Sequence, residues 1–324
     1  MGGSVSHSYP ILMGDDIKVL HIMGAGRSGS TLLGRLLNEV DGFFATGELR
    51  VIWRAGLLQG LRCACGATIV ECDIWSRVLR VIHEDRSADI GAAVAAVELQ
   101  KRVVPIRRTG RLLRHAAQDS LTNSELVTYA ELIRRLYGAV ADVSRARVIV
   151  DSSKRASDAA LLRSLDGISP YYVHLVRDPR AVAYSWRRRK GGLARYGSLR
   201  STVVWGQWNR AAQAVRESFS AKRTMLVRYE DFTADPRTTL ERIINLVEEG
   251  RAAAPVSADG QTRLHGCHML GGNPDRFVTG AVGISADRAW VDRQSALDRV
   301  VKTAIAAPML RRYGYPYRAR SRNH

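Results

Sequence analysis

At 324 residues, with 46% hydrophobic and 25% charged side chains, the chain is long enough for one elaborated α/β domain and has the makeup of a packed globular protein, which excludes a disordered, collagenous or disulfide-scaffold chain. The net charge of +18, with Arg outnumbering Lys 43 to six, gives a field suited to polyanions, nucleotides or an acidic surface. A GC-rich genome would account for part of the Arg excess, but Arg is also the better bidentate clamp for phosphate and sulfate oxygens.

In chain order, the apolar run at residues 17–23 ends at Gly24, and Leu32, Leu33, Leu36 and Leu37 then recur at helical spacing, so a strand, a glycine loop and a helix are predicted. The same alternation returns at 147–153 before a helix over 156–165, and at 171–177 before a helix opened by Pro179. A further strand is predicted at 224–229 and a helix from 236 to 248, started by Asp235-Pro236. The fold class expected is therefore α/β, a P-loop-like parallel sheet flanked by helices. Residues 1–324 read as a single domain with a mostly helical insertion at about 50–145 and a basic tail at 311–324 that is expected to fray. The insertion is expected either to help recognise an acceptor at the sheet's carboxyl edge or to pad the core. No run approaches the roughly 18 to 20 apolar residues of a membrane span, and the start lacks a basic segment followed by a long apolar one, so a cytoplasmic location is expected.

Gly24-Ala-Gly-Arg-Ser-Gly-Ser-Thr31 lies between a strand and a helix, where backbone N–H groups and the helix dipole cradle an anion. Against the triphosphate-binding pattern GxxxxGK[ST], Gly24, Gly29 and Thr31 fit, but Ser30 stands where the Lys belongs and the cation comes earlier, at Arg27. This departure weighs against a P-loop kinase, which lacks its contact to the terminal phosphates without that Lys.

The chain here resembles the sulfotransferases that use 3′-phosphoadenosine 5′-phosphosulfate (PAPS), nearest to their tyrosylprotein and carbohydrate-type branches. GAGRSGSTLL is similar to that family's 5′-phosphosulfate loop, HLVRDPRAVAYSW from His174 to Trp186 to its 3′-phosphate motif, and TGELR from Thr46 to Arg50 to the place of its catalytic Glu. The resemblance spans residues 18–50, 147–190 and 224–248 and leaves the insertion uncovered. It implies PAPS as co-substrate, with Arg27, Ser28, Gly29, Ser30 and Thr31 around the 5′-phosphosulfate and Arg177 with Ser185 on the 3′-phosphate. It implies Glu48 as the base, with Lys154 near the bridging oxygen, and no metal in the chemistry. A steroid or phenol branch uses His instead, for which His83 and His174 are the alternatives; His174 lies inside an apolar strand and reads as a core residue. Arg276, in the glycine-rich Gly271–Phe277 stretch, is a further phosphate contact or a solvated surface Arg. Tyr229, Asp231 and Phe232 read as structural.

Cys63, Cys65 and Cys72, with Cys267, His265 and His268 far along the chain, leave structural zinc, a disulfide or reduced thiols all open, because the spacing fits no standard finger. The expected acceptor is a small molecule, a glycan or a lipid-linked group presenting a hydroxyl or amine. A basic nucleic-acid-binding protein is the competing class; with only 7% aromatic residues and no recognition-helix or RNP pattern, nucleic acid is not expected as a partner.

Overall fold

The computed structural model describes residues 16–83, 89–118, 123–188 and 197–317. Five parallel strands form the central sheet in the order β2-β3-β1-β4-β5, with β1 at Ile17–Met23, β2 at Phe43–Gly47, β3 at Val148–Lys154, β4 at Ile168–Val176 and β5 at Thr224–Arg228. This is the expected α/β architecture. The strands are largely apolar, with a few buried polar residues such as His21, Asp151 and His174, because both faces of the sheet are covered.

Alternate residues of β1 serve different cores. Val19 and Met23 pack with Ile149 and Tyr172 beneath the insertion, whereas Leu20 and Ile22 pack with Val148, Val150 and Val173 on the other face. The second face is closed by α1 (Ser30–Leu37), through Leu33, Leu36 and Leu37.

The insertion holds α2 (Asp73–Ile82), α3 (Ile90–Val103), α4 (Thr109–Ala117) and α5 (Ser124–Ser144). Trp75, Val78, Tyr129 and Val140 from these helices bury themselves against the first face. Of the two roles expected for the insertion, core padding is the one its packing displays. After β3 comes α6 (Ala156–Leu162), three residues shorter than the predicted helix.

Helix α7 (Pro179–Arg187) follows β4, with Pro179 at its first position and the Asp178 carboxylate accepting from the Arg180 N–H at 2.8 Å. The long α8 (Ser198–Glu217) packs on it, and its Trp205 Nε1 donates to the Arg177 carbonyl at 3.0 Å, which fixes the end of β4. Beyond β5 lie α9 (Tyr229–Ala234) and α10 (Pro236–Leu246), the latter capped by Asp235 as the Asp-Pro pair requires.

A small antiparallel pair, β6 (Gln261–Leu264) with β7 (Gly280–Gly283), and the helices α11 (Ala289–Arg293) and α12 (Ala296–Arg312) complete the description. Residues 311–317 do not fray as expected: Tyr313 and Tyr315 are buried, and the Pro316 and Tyr317 carbonyls each accept from the Arg180 guanidinium at 2.8 Å. The remainder of that tail and residues 1–15 lie outside the described residues. Among the described residues no helix is long and apolar enough to cross a membrane.

Candidate active site

Because all five strands are parallel, their carboxyl ends open on one edge, the place where ligands of open α/β sheets bind. A cavity of about 490 Å³ lies there. Its wall includes Gly26, Arg27, Gly29, Ser30 and Thr31 after β1, Glu48 after β2, Lys154 at the end of β3, Arg177, Ser185 and Trp186 after β4, and Tyr229 after β5. Residues predicted from separate segments are thus brought to one space, and no insertion residue from 50 to 145 lines it.

The loop after β1 is shaped by close approach. Gly24 sits at φ 133°, and a Cβ there would lie 2.3 Å from the Leu175 carbonyl oxygen. Arg27 itself has φ 71°, a left-handed conformation costly for a side-chain-bearing residue. Ser28 is buried, and its hydroxyl has no hydrogen-bond partner among the described residues. The same holds for Nε of Arg177, a residue only 6% exposed. Buried polar atoms left unpaired cost about 1–3 kcal/mol each, and a ligand that bonds them recovers this.

Arg177 is oriented from several sides. Its Nη1 donates to the Arg27 carbonyl at 3.2 Å, its Nη2 to the Asp287 carbonyl at 2.9 Å, and the guanidinium lies 4.3 Å from the centre of the Tyr229 ring. Asp178 pairs with Arg180, at 2.6 Å, rather than with Arg177, so the cation at the strand end is not spent on its neighbour. Arg27 Nε donates to Ser185 Oγ at 2.9 Å. Two residues expected on opposite phosphates of the donor therefore touch. Burial lowers the Arg27 pKa from its usual value; Asp275 opposes this, and the Arg177 and Arg188 charges add to it. An anion between these cations would relieve their crowding.

Glu48 and Lys154 face each other across the cavity wall, with Lys154 Nζ 2.5 Å from Glu48 Oε1. Lys154 is held at φ 69° by a turn built on buried Asp151, whose carboxylate accepts from the Ser153 N–H at 2.8 Å, the Ser153 hydroxyl at 2.5 Å and the Tyr137 hydroxyl at 2.7 Å. Glu48 is fixed by a strap, residues 268–273, that runs along the carboxyl edge. Leu270 forms a parallel bridge with Gly47, and the Glu48 N–H donates to the Leu270 carbonyl at 2.7 Å. At Gly272, φ 82°, an added Cβ would stand 2.8 Å from Thr31 Oγ1, which accepts from the Asn273 N–H at 3.1 Å. The strap thus bears on the phosphate loop and on Glu48, rather than closing over the Arg177 end.

Arg276 does not line the cavity. It is neither a solvated surface Arg nor a cavity cation: the residue is 7% exposed, and its guanidinium stacks 4.2 Å from the centre of the Phe277 ring and reaches the Asn273 and Arg62 carbonyls. His174 is a core residue as expected. It is 0% exposed, its Nε2 lies 3.0 Å from Asn209 Oδ1, and burial lowers its pKa to about 4. His83 is likewise absent from the cavity wall. Sequence reasoning passed over Arg188, Trp208, Asp275 and Asp287, and took Tyr229 for a structural residue; all five line the cavity. Only Asp275 had a signal, its place in the glycine-rich stretch.

Residues 20–249 match the sequence model of the sulfotransferase family. The chain belongs to that family. Solved structures similar to this sulfotransferase include the sulfotransferase domain from the curacin biosynthetic pathway, at 17% identity over 94% of this chain and 99% of that one with a TM-score of 0.48. Sulfotransferase STF9 from Mycobacterium avium is similar at 14% identity over 95% and 79% of the two chains, with a TM-score of 0.47. The sulfotransferase domain of the Synechococcus PCC 7002 olefin synthase is similar at 21% identity over 72% and 74%, with a TM-score of 0.38. Comparison with curated proteins gives no match. The matched span of this sulfotransferase holds the phosphate loop, Glu48, Lys154, Arg177 and Ser185, whereas the strap lies beyond it.

Proposed function

We propose that this sulfotransferase moves a sulfuryl group from PAPS to a hydroxyl or amine acceptor, with Glu48 as the base. The observation that carries the reading is the single cavity in which the phosphate loop, the Glu48–Lys154 pair and the Arg177–Ser185 pair face one another. The loop amides at the start of α1, with Arg27 and the Ser28, Ser30 and Thr31 hydroxyls, hold the 5′-phosphosulfate. Arg177 and Ser185 take the 3′-phosphate, and Arg188 adds a second cation at that end.

In the reaction the acceptor oxygen forms a bond to sulfur as the bond from sulfur to the bridging phosphate oxygen breaks. The acceptor proton passes to the Glu48 carboxylate, and adenosine 3′,5′-bisphosphate leaves with the bonding electron pair. Lys154 Nζ meets the charge that develops on the bridging oxygen. Moving Lys154 from Glu48 to that oxygen frees the carboxylate for the proton. Leu264, Val278, Val282 and Ile284 form an apolar wall, which favours an acceptor with an apolar body. A cytoplasmic site of action belongs to the same proposal, supported by four unbridged cysteines.

The test is calorimetric titration with adenosine 3′,5′-bisphosphate, ATP plus magnesium, and duplex DNA, followed by transfer from labelled PAPS to an acceptor panel in a short assay with EDTA. Binding of the bisphosphate alone and chelator-insensitive transfer are expected. Binding of ATP with magnesium and none of the bisphosphate would restore the kinase reading, and tight DNA binding the nucleic-acid one.

A further inference from the structure

Three cysteines and a histidine meet outside the cavity. Sγ of Cys63, Cys65 and Cys72 and a ring nitrogen of His268 all lie within 4.8 Å of one another. Cys63 and Cys72 Sγ are 3.7 Å apart, and His268 Nδ1 is 3.2 Å from Cys72 Sγ and 3.8 Å from Cys63 Sγ. Tetrahedral zinc, with bonds of about 2.3 Å to sulfur and about 2.05 Å to nitrogen, sets its ligands about 3.8 Å apart for two sulfurs and about 3.5 Å apart for sulfur and nitrogen. The two sulfur–nitrogen separations fall on either side of the zinc-bound value, and the sulfur–sulfur separation lies close to its own. The Cys63 and Cys72 sulfurs stand well beyond the about 2.05 Å of a disulfide.

We infer that Cys63, Cys65, Cys72 and His268 form a closed structural zinc site. Three thiolates and one imidazole complete a four-coordinate set with no open position, which is the pattern of a structural rather than a catalytic zinc. The backbone around it is already arranged. The Cys63 N–H donates to the Ala67 carbonyl at 2.9 Å and the Gly66 N–H to the Cys63 carbonyl at 2.9 Å, which makes a tight knuckle between the first two ligands and the third. Cys72 opens α2, and one turn on, Trp75 Nε1 donates to the His268 carbonyl at 2.6 Å, so the fourth ligand is fixed through its own backbone. Cys65 is exposed while Cys63 and Cys72 are buried, leaving a path for the ion to enter. Cys267, one residue before the histidine ligand, is excluded from the set, since Arg35 Nη1 donates to its sulfur at 2.6 Å.

The ion would join two distant parts of the chain. One is the knuckle in the insertion; the other is the strap that follows His268 and reaches Leu270, Gly271 and Gly272. The Ala64 N–H to Met269 carbonyl bond, 3.0 Å, is the one backbone bond between knuckle and strap among those described. Zinc there clamps the strap onto Gly47, Glu48 and Thr31. This positioning role rests on the reading of Glu48 as base; the presence of the metal does not.

The experiment uses the full chain expressed with zinc supplementation and purified without chelator. Elemental analysis should find one zinc per chain, and replacement by Co(II) should give the strong visible bands of a tetrahedral site with thiolate-to-cobalt charge transfer. Cys65→Ser, at the exposed ligand, and His268→Ala should lose zinc on dialysis against a chelator that leaves wild type loaded, while Cys267→Ser keeps it. The zinc-free Cys65→Ser variant should melt at a lower temperature. Substoichiometric zinc with a featureless cobalt spectrum in the wild-type chain would overturn the assignment, as would equal retention of zinc by Cys65→Ser and His268→Ala. Full zinc occupancy with unchanged transfer by zinc-free Cys65→Ser would keep the site and refute its action on Glu48.

Discussion

Arg27 is where ligand chemistry and backbone strain coincide, and two substitutions separate them. With φ at 71°, a side-chain-bearing residue costs about 1–2 kcal/mol relative to an ordinary conformation. Arg27→Ala removes the guanidinium and its 2.9 Å bond to Ser185 but keeps the strain; Arg27→Gly removes both. Each variant loses one charge-assisted contact to the donor, so each should bind adenosine 3′,5′-bisphosphate more weakly by about 1.5–3 kcal/mol, or about 10- to 150-fold. Their stabilities should diverge. Glycine gives back roughly 0.5–1 kcal/mol through the freedom of the unfolded chain, so the Gly variant should exceed the Ala variant by roughly 0.5–1 kcal/mol. Titration calorimetry reads the first quantity, and urea denaturation at matched pH reads the second. Unchanged affinity in both variants would remove Arg27 from the donor site. A Gly variant less stable than the Ala variant would refute the strain argument while leaving the ligand assignment standing.

Glu48→Gln keeps shape but removes the proton acceptor, and single-turnover transfer at saturating PAPS should slow by about 10² to 10⁴-fold with donor affinity retained; a near-normal rate would show that Glu48 only anchors the strap. Arg276→Ala should leave the bisphosphate dissociation constant at its wild-type value and lower the melting temperature, because its guanidinium bonds the Asn273 and Arg62 carbonyls behind the strap; a loss of donor affinity with stability intact would put Arg276 back among the phosphate ligands. His174, with its pKa lowered by burial to about 4, stays neutral in the fold while the unfolded chain protonates near 6.5, so the unfolded state binds more protons between these values. Stability should therefore fall as pH drops from about 6.5 to about 4, by roughly 3 kcal/mol at the limit, and His174→Gln should flatten that slope in denaturation curves.

The strands were legible because residues such as Val19, Leu20, Ile22 and Met23 are buried on both faces and make a short run that is apolar save for His21. Gly24 and Gly29 announced the loop after β1, and Pro179 and Pro236 the helix starts, because glycine opens and proline restricts the backbone locally. Local rules fail where contacts are distant. Nothing near Arg276 says whether a lone cation in a glycine-rich turn points to solvent or is buried on Phe277. The β6–β7 pair hides in four-residue strands, one of them Gly-Ala-Val-Gly, that carry little strand propensity. His268 stands 196 residues from Cys72, so no spacing rule could join them. Asp287 and Trp208 reach the cavity only through the packing of segments that the strand-and-helix alternation does not order.

Helix α7 carries Ser185 to the cavity, and its buried cation Arg180 is satisfied partly by the adjacent Asp178 and partly by groups far later in the chain. Arg180, 1% exposed, depends on the carbonyls of Pro316 and Tyr317, and the Tyr315 hydroxyl donates at 2.7 Å to Glu230, whose carboxylate in turn accepts from the Asp178 N–H at 3.1 Å. Translation proceeds from the amino end, so the ribosome releases the glycine loop, the sheet and α7 before it releases these acceptors. Until then the Arg180 guanidinium has the Asp178 carboxylate but lacks the two carbonyl acceptors of Pro316 and Tyr317. Tyr315, Pro316 and Tyr317, distant in sequence, thus complete the polar surroundings of the turn between β4 and α7.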